Sequence, residues 1–186
     1  YRPVAPVAQY LCDLSYLGTY AADRQPKLRQ LLNGAAALQP SHRFIVAGAQ
    51  YPKGIEWRSN VQRMIHVYPR EHPAFYSSSR FTLNLTRDAM VEAGYSPSVR
   101  LFEAAACGAT IVSDVWAGLE EFLTPGREIL LPQDVYELVE MLRNMPEQER
   151  QQIGSRARER IIAHHSSAKR ASQFETIVAG CYARRA

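Results

Sequence analysis

The residues best suited to chemistry lie between Ala93 and Ser113. Gly94 and Ser96 loosen the backbone ahead of Pro97, whose missing N–H costs nothing at the first position of a helix, and Ser96 suits the cap before it. A helix beginning there leaves its first amides, near Ser98 and Val99, without partners inside the helix. Free N–H groups at the positive end of a helix dipole favour an anion such as phosphate. Glu103 follows just over one turn later, within reach of a ribose hydroxyl pair, although an ordinary surface glutamate has the same spacing. Val99, Phe102, Ala105 and Ala106 share helical spacing and define the expected apolar face. Gly108 suits a left-handed C-terminal cap, and 110–113 reads as a strand buried on both faces.

Further candidates are scattered along the chain. Gly18 and Thr19 close a first apolar run, and Arg87 closes a later one. Arg87 is a cation facing a cleft or a member of a structural ion pair. Arg24 opens a helix, where a positive charge is unfavourable unless it meets an anion; the alternatives are a solvated side chain or a pair with Asp23. His66 reads as a packing or hydrogen-bonding residue more than a base, and Asn84 as a satisfied buried amide. Asp114 and Trp116 follow a strand on its cleft side, and Trp116 suits either stacking on a sugar or interdomain packing. Ser77, Ser78 and Ser79 have no base at motif spacing, so they read as a loop cap and not as a nucleophile. No catalytic residue is assignable.

These residues need elements to hold them. Apolar runs at 14–20, 44–47, 61–68, 81–86, 110–113 and 128–131 read as about six strands. Leu28, Leu31, Leu32 and Ala35 mark a helix ending near Asn33 and Gly34; 71–78 and 118–122 are short helices. Asp134 and Glu137 fit a capping box before the buried face of Val135, Leu138, Val139 and Leu142, and 147–182 is polar, Arg-rich and helical. Strand and helix alternate, which argues for an α/β fold with a doubly wound, Rossmann-like parallel sheet in the order 3-2-1-4-5-6, helices on both faces and extra C-terminal helices. Strands one and four are neighbours at the reversal point, and ligands bind past their C-terminal ends. The rule gathers Gly18, Thr19, Arg87 and the 95–99 loop around one cleft.

Composition narrows the classes. With 186 residues, 46% of them hydrophobic, the chain can build one well-packed domain. A net charge of +4 without a concentrated basic patch and aromatic partners argues against nucleic-acid binding. Cys12, Cys107 and Cys181 form neither a disulfide framework nor a metal-ligand spacing, which suits a reducing cytoplasm. His164 and His165 are adjacent and make a poor metal pair. No apolar run has membrane-spanning length. The Pro-rich tract 1–12 is expected to be an interdomain linker, with 13–186 the C-terminal part of a longer protein.

The segments DLSYLGTYAADR at 13–24, HVYPREHPAFYSSSRFTLNLTR at 66–87, GYSPSVRLFEAAACGATIVSD at 94–114 and EEFLTPGREILL at 120–131 carry a resemblance. Together they resemble the C-terminal, nucleotide-sugar-binding domain of GT-B glycosyltransferases, and more narrowly the glycosyltransferase group 1 domain of CgeB-like spore maturation proteins. The resemblance implies a transferase acting on a nucleotide-diphosphate sugar without a metal or other cofactor. An N-terminal acceptor-binding domain would be its partner, and this part alone would be inactive. Glu103 matches the second glutamate of the family's Glu-x7-Glu motif, which holds the donor's ribose hydroxyls. Ser98 and Val99 match positions whose amides meet the diphosphate, beside Ser96. Gly18 matches a glycine that lets phosphate come close, Arg24 falls where relatives carry a phosphate-binding lysine, and His66 and Val67 fall near the loop framing the base. Two positions depart from the pattern. Tyr95 stands in place of the motif's first glutamate, and Thr19 in place of a strand-end arginine, for which Arg87 or Arg100 would substitute. A non-catalytic Rossmann-like binding or interaction module is the alternative that these departures leave open.

Overall fold

The structure, a computed structural model, describes residues 1–183. Five parallel strands, β1 (Cys12–Leu17), β2 (Phe44–Ala47), β3 (Val61–Met64), β4 (Ser79–Asn84) and β5 (Thr110–Ser113), form one sheet in the order β3-β2-β1-β4-β5. The expected α/β class and the reversal between strands one and four are therefore found. β2 and β5 are buried at every position, as strands covered on both faces must be. One face packs Leu14, Phe44, Phe81 and Leu83 against Leu28, Leu32, Leu138 and Leu142. The other packs Ile45, Ala47 and Ile111 against Phe75, Leu101, Ala105 and Ala157.

The helices that cover the sheet follow the chain. α1 (Gln25–Leu28) continues through a π-helical turn, Arg29–Asn33, into α2 (Gly34–Leu38). This helix therefore runs past Asn33 and Gly34, where an end was expected. α3 (His72–Ser78) precedes β4, and α4 (Asp88–Ala93), which no sequence pattern announced, precedes α5 (Val99–Ala106). α6 (Leu119–Phe122), α7 (Val135–Asn144), α8 (Glu147–His165) and α9 (Ser167–Ala183) complete the described chain. The expected extra C-terminal helices are two, parted at Ser166, whose ψ of 155° is extended. Asp134 caps α7 by accepting from the amides of Tyr136 and Glu137, as its spacing suggests.

Strand ends shift by a few residues. β1 starts at Cys12 and hands over at Gly18, β3 stops at Met64, and β4 is displaced towards Ser79. Residues 128–131 are not a sixth strand. Leu130 donates to Ile111 O and its own carbonyl accepts from Ser113 N, each at 2.9 Å, and the pairing stops there. Pro132, without an N–H, cannot extend it. The Pro-rich tract lies on the domain. Val4 and Val7 donate to the hydroxyls of Ser77 and Ser78 at 3.2 and 2.8 Å, and the ring of Tyr10 is buried against Phe75.

Arg150 ties α8 to the starts of β4 and β5 through Arg80 O at 2.7 Å and Thr110 Oγ1 at 3.3 Å. The carboxylate of Glu147 accepts from Arg150 Nε at 2.9 Å and from Arg150 Nη2 at 2.5 Å. That guanidinium holds the Glu147 carboxyl down at about 2, against 4.5 ordinarily. A carboxyl depressed by folding contributes stability above its unfolded value and loses it as pH falls towards the folded one. Between pH 5 and 2, Glu147→Gln should therefore flatten the acid limb of the unfolding-temperature profile, while the two proteins share one profile shape above pH 5.

Candidate functional site

At the C-terminal ends of β1 and β4 the chain leaves the sheet on two sides, and α5 starts at that fork. Its cap is Ser98, with extended backbone (φ −66°, ψ 140°), and Val99 is the first helical residue. Ser96 and Pro97 lie ahead of the helix and do not cap or open it, contrary to expectation. The hydroxyl of Ser98 makes no capping bond to the helix; it lies 3.3 Å from Arg100 Nη1. The first-turn amides are thus left without a side-chain acceptor. Of the expected apolar face, Ala105 and Ala106 are buried and Phe102 is partly so, while Val99 is not. Val99 is 68% exposed, whereas Leu101, Ala104 and Ala105 are buried, and Phe102 packs sideways on Phe122 and His165. Alanines fit either face of a helix, so the single leucine decides which side meets the sheet.

Arg100 is only 9% exposed. Its guanidinium crosses the fork to β1, where Nε donates to Leu17 O. Nη1 lies 3.4 Å from Asn84 Oδ1 at the end of β4, and the guanidinium carbon is 5.2 Å from the centre of the Tyr16 ring. Among the described residues no ion pair involves Arg100. A Cβ on Gly18 would meet Arg100 Nη2 at 2.7 Å and the Tyr16 hydroxyl at 2.8 Å. The space that glycine leaves at the end of β1 is therefore occupied by a cation, and a group approaching Gly18 meets that cation first. Tyr51, whose phenol burial pushes up and keeps neutral, donates to Gly18 O at 3.1 Å.

The other cations are arranged differently. Arg87 is exposed and pairs with Asp23 at 3.4 Å, so the ion-pair alternative describes it. Lys27, which sequence reasoning passed over, pairs with Asp114 at 2.9 Å, and Asp114 also accepts from the amide and hydroxyl of Thr86. Arg24 folds back on Thr19, donating from Nη2 to its carbonyl at 2.7 Å, and its buried Nε has no acceptor. Asn84 is buried and bonded to Ser113 Oγ at 2.9 Å, as a satisfied amide should be. Trp116 is buried against Phe122 inside the domain and presents no free face to a sugar or to another domain.

Tyr95 has a left-handed backbone (φ 50°), rare for a residue with a side chain. Two contacts hold it there: its amide donates to Ala117 O at 2.7 Å, and its ring covers Gly118, where a Cβ would come within 2.3 Å of it. The ring is otherwise exposed. His66 is exposed and edge-on to Tyr68, with ring centres 4.7 Å apart, whereas Val67 is buried. Glu103 lies 4.0 Å from Nδ1 of His72. His72 was missed because only tertiary placement brings it to Glu103; Pro73, a helix-start signal, marked its element but not its neighbours. The structure thus gathers Gly18, Ser98, Val99 and Arg100 at one point and pairs Arg87 with Asp23.

Two hollows lie away from this fork, about 490 Å³ beside Trp57 and Arg29 and about 820 Å³ between α8 and α9. Among the described residues there is no cluster of three or more His, Cys, Asp or Glu able to hold a metal, and no helix is long and apolar enough to cross a membrane.

The fold has solved counterparts. Sucrose-phosphate synthase (tll1590) from Thermosynechococcus elongatus superposes with a TM-score of 0.72 at 18% identity, over 96% of this chain and 50% of that one. Anabaena Alr3699/HepE, solved in complex with UDP and glucose, gives 0.72 at 14% identity over 90% of this chain and 48% of that one. The C-terminal domain of a glycosyl transferase group 1 family protein (LpcC) from Francisella tularensis gives 0.63 at 12% identity, over 83% and 86%. At such identities the likeness is one of fold, that of the Rossmann-like domain of GT-B glycosyltransferases. The chain spans about half the length of the first two proteins. No curated protein matches it. The sequence does match the glycosyl transferase-like family over residues 24–176, most of its length, and the chain belongs to that family.

Proposed function

We propose that this chain is the donor-binding half of a glycosyltransferase that moves a sugar from a nucleotide-diphosphate sugar to an acceptor held by an N-terminal domain. The observation that carries the reading is Arg100, a buried guanidinium without a carboxylate partner, set beside the open amides of α5 at the fork of the sheet. A buried charge without a counter-ion is costly, and a diphosphate supplies the missing one. Arg100 then takes the role of the absent strand-end arginine, and Arg24, with its unpartnered Nε, is the second cation. The amides of Val99 and Arg100 and the Ser98 hydroxyl complete the anion's surroundings.

As the bond to the sugar breaks, negative charge grows on the departing phosphate oxygen. Fixed donors aimed at that oxygen stabilise it without rearranging. Protein groups alone supply this charge, so no metal is called for. Glu103 holds the ribose, and the loop at His66 and Val67 frames the base. Tyr95 lies on the sugar side in place of a carboxylate. The narrower affiliation is with CgeB-like proteins, residues 1–12 form the linker between domains, and the cytoplasm is the setting. This half alone binds donor and transfers nothing.

Calorimetric titration with UDP, GDP, dTDP and ADP tests the reading. One nucleotide should bind, and Glu103→Ala should weaken it about tenfold, the loss of one hydrogen-bonded carboxylate, with the unfolding temperature nearly unchanged. If no nucleotide binds to the folded chain, a non-catalytic interaction module is the better description. Gly18→Ala tests the position of the cation. The added methyl collides with Arg100 Nη2, the end of a long side chain, and with the buried Tyr16 ring, so the guanidinium is displaced. Affinity for the diphosphate should fall at least tenfold while affinity for the free nucleoside stays constant; an equal loss for both would remove Arg100 from the phosphate site.

A further inference from the structure

His72, the first residue of α3, touches both segments that the nucleoside reading uses. Its Nε2 lies 3.2 Å from Val67 O, in the loop between β3 and α3. A carbonyl only accepts, so Nε2 is the donor there. Nδ1 is 3.0 Å from the Tyr1 hydroxyl oxygen and 4.0 Å from Glu103 Oε2 on α5. The ring is held between two others, with centroids 6.1 Å from Tyr1 and 6.3 Å from Tyr76. The His72 and Glu103 side chains are 18% and 20% exposed, so neither swings freely in solvent. Burial first, then the Glu103 carboxylate beside it, push the Tyr1 phenol up, which keeps that hydroxyl protonated as a donor.

One imidazole therefore fixes a carbonyl of the base-framing loop and stands against the carboxylate on the neighbouring helix. Removing it frees Val67 O and opens space beside Glu103 together. We infer that His72 is a positioning residue that joins base recognition to ribose recognition by holding Val67 and Glu103 at a fixed separation. The inference rests on the reading of Glu103 as the ribose ligand.

The test compares affinities for UDP, GDP and ADP with those for their 2′,3′-dideoxy analogues, by calorimetry, in the unaltered chain and in His72→Ala, His72→Gln and Glu103→Ala. For the nucleotide that binds, the unaltered chain should prefer the ribose form about tenfold or more. Glu103→Ala should bring that preference close to one, and so should His72→Ala, although it leaves the carboxylate in place. His72→Gln, whose amide can still donate to Val67 O, should recover part of it. A purely structural histidine would lower the unfolding temperature and leave the ribose preference alone, and that result overturns the inference. If Glu103→Ala leaves the preference intact, the ribose reading of Glu103 falls, and the role of His72 with it. Loss of preference only in Glu103→Ala retains that reading and removes His72. Because the readout is a ratio within one protein, a variant of reduced stability still decides the matter.

Discussion

A positive charge buried at the junction of two strands is the constraint from which the rest of this site follows. Arg100 is fixed by a carbonyl of β1, an amide oxygen of β4 and the hydroxyl at the tip of its own helix. All three partners are neutral. Neutral acceptors satisfy the geometry of a guanidinium but not its charge, and desolvating that charge is expensive unless an anion compensates it. The neighbouring cations show the contrast. Lys27 and Arg87, also near strand ends, each have a carboxylate within reach. Arg100 has none among the described residues, so its charge, unlike theirs, is left uncompensated by the fold.

The same constraint gives residue 18 its identity. A glycine at the end of a first strand is usually explained by what it admits from outside. Here the space is taken from inside, by the guanidinium and by Tyr16. Gly18, Tyr16, Arg100 and Asn84 come from three separate elements yet form one unit, because the reversal in strand order makes β1 and β4 neighbours just where α5 begins. Topology supplies the meeting point, and the arginine fills it.

The sheet was legible in the sequence because its strands are short, apolar and separated by helical patterns, and burial on both faces leaves few other readings. The start of α5 was legible to within a few residues for a similar reason: a Ser-Pro-Ser turn before an alanine-rich run leaves few places for the helix to begin. Its exact first residue was not. Ser96 and Ser98 both suit a cap, and Pro97 is tolerated either just inside a helix or just before it. The short helix at Asp88–Ala93 was missed although Gly94 ends it, because six residues are too few to show a helical period, and the position of the break at Ser166 carries no glycine or proline. Side-chain partnerships were the least legible. Whether Arg87 faces a cleft or pairs with Asp23, and whether Trp116 meets solvent or Phe122, depends on distances that no local pattern encodes.

Tyr95 shows how such a site tolerates an altered pattern. A left-handed backbone at a tyrosine costs on the order of 1 kcal/mol and persists only where its surroundings hold it. Its amide bond to Ala117 and its ring over Gly118 do that, joining the loop before α5 to the turn before α6. These two contacts therefore fix where the chain enters the helix tip, which Ser98 reaches with extended backbone. A carboxylate at this position would lack the ring that covers Gly118, and with it one of the two contacts that hold the loop. The departure at Tyr95 thus serves the loop, while at the fork the uncompensated charge of Arg100 and the uncapped amides of α5 both favour an anion.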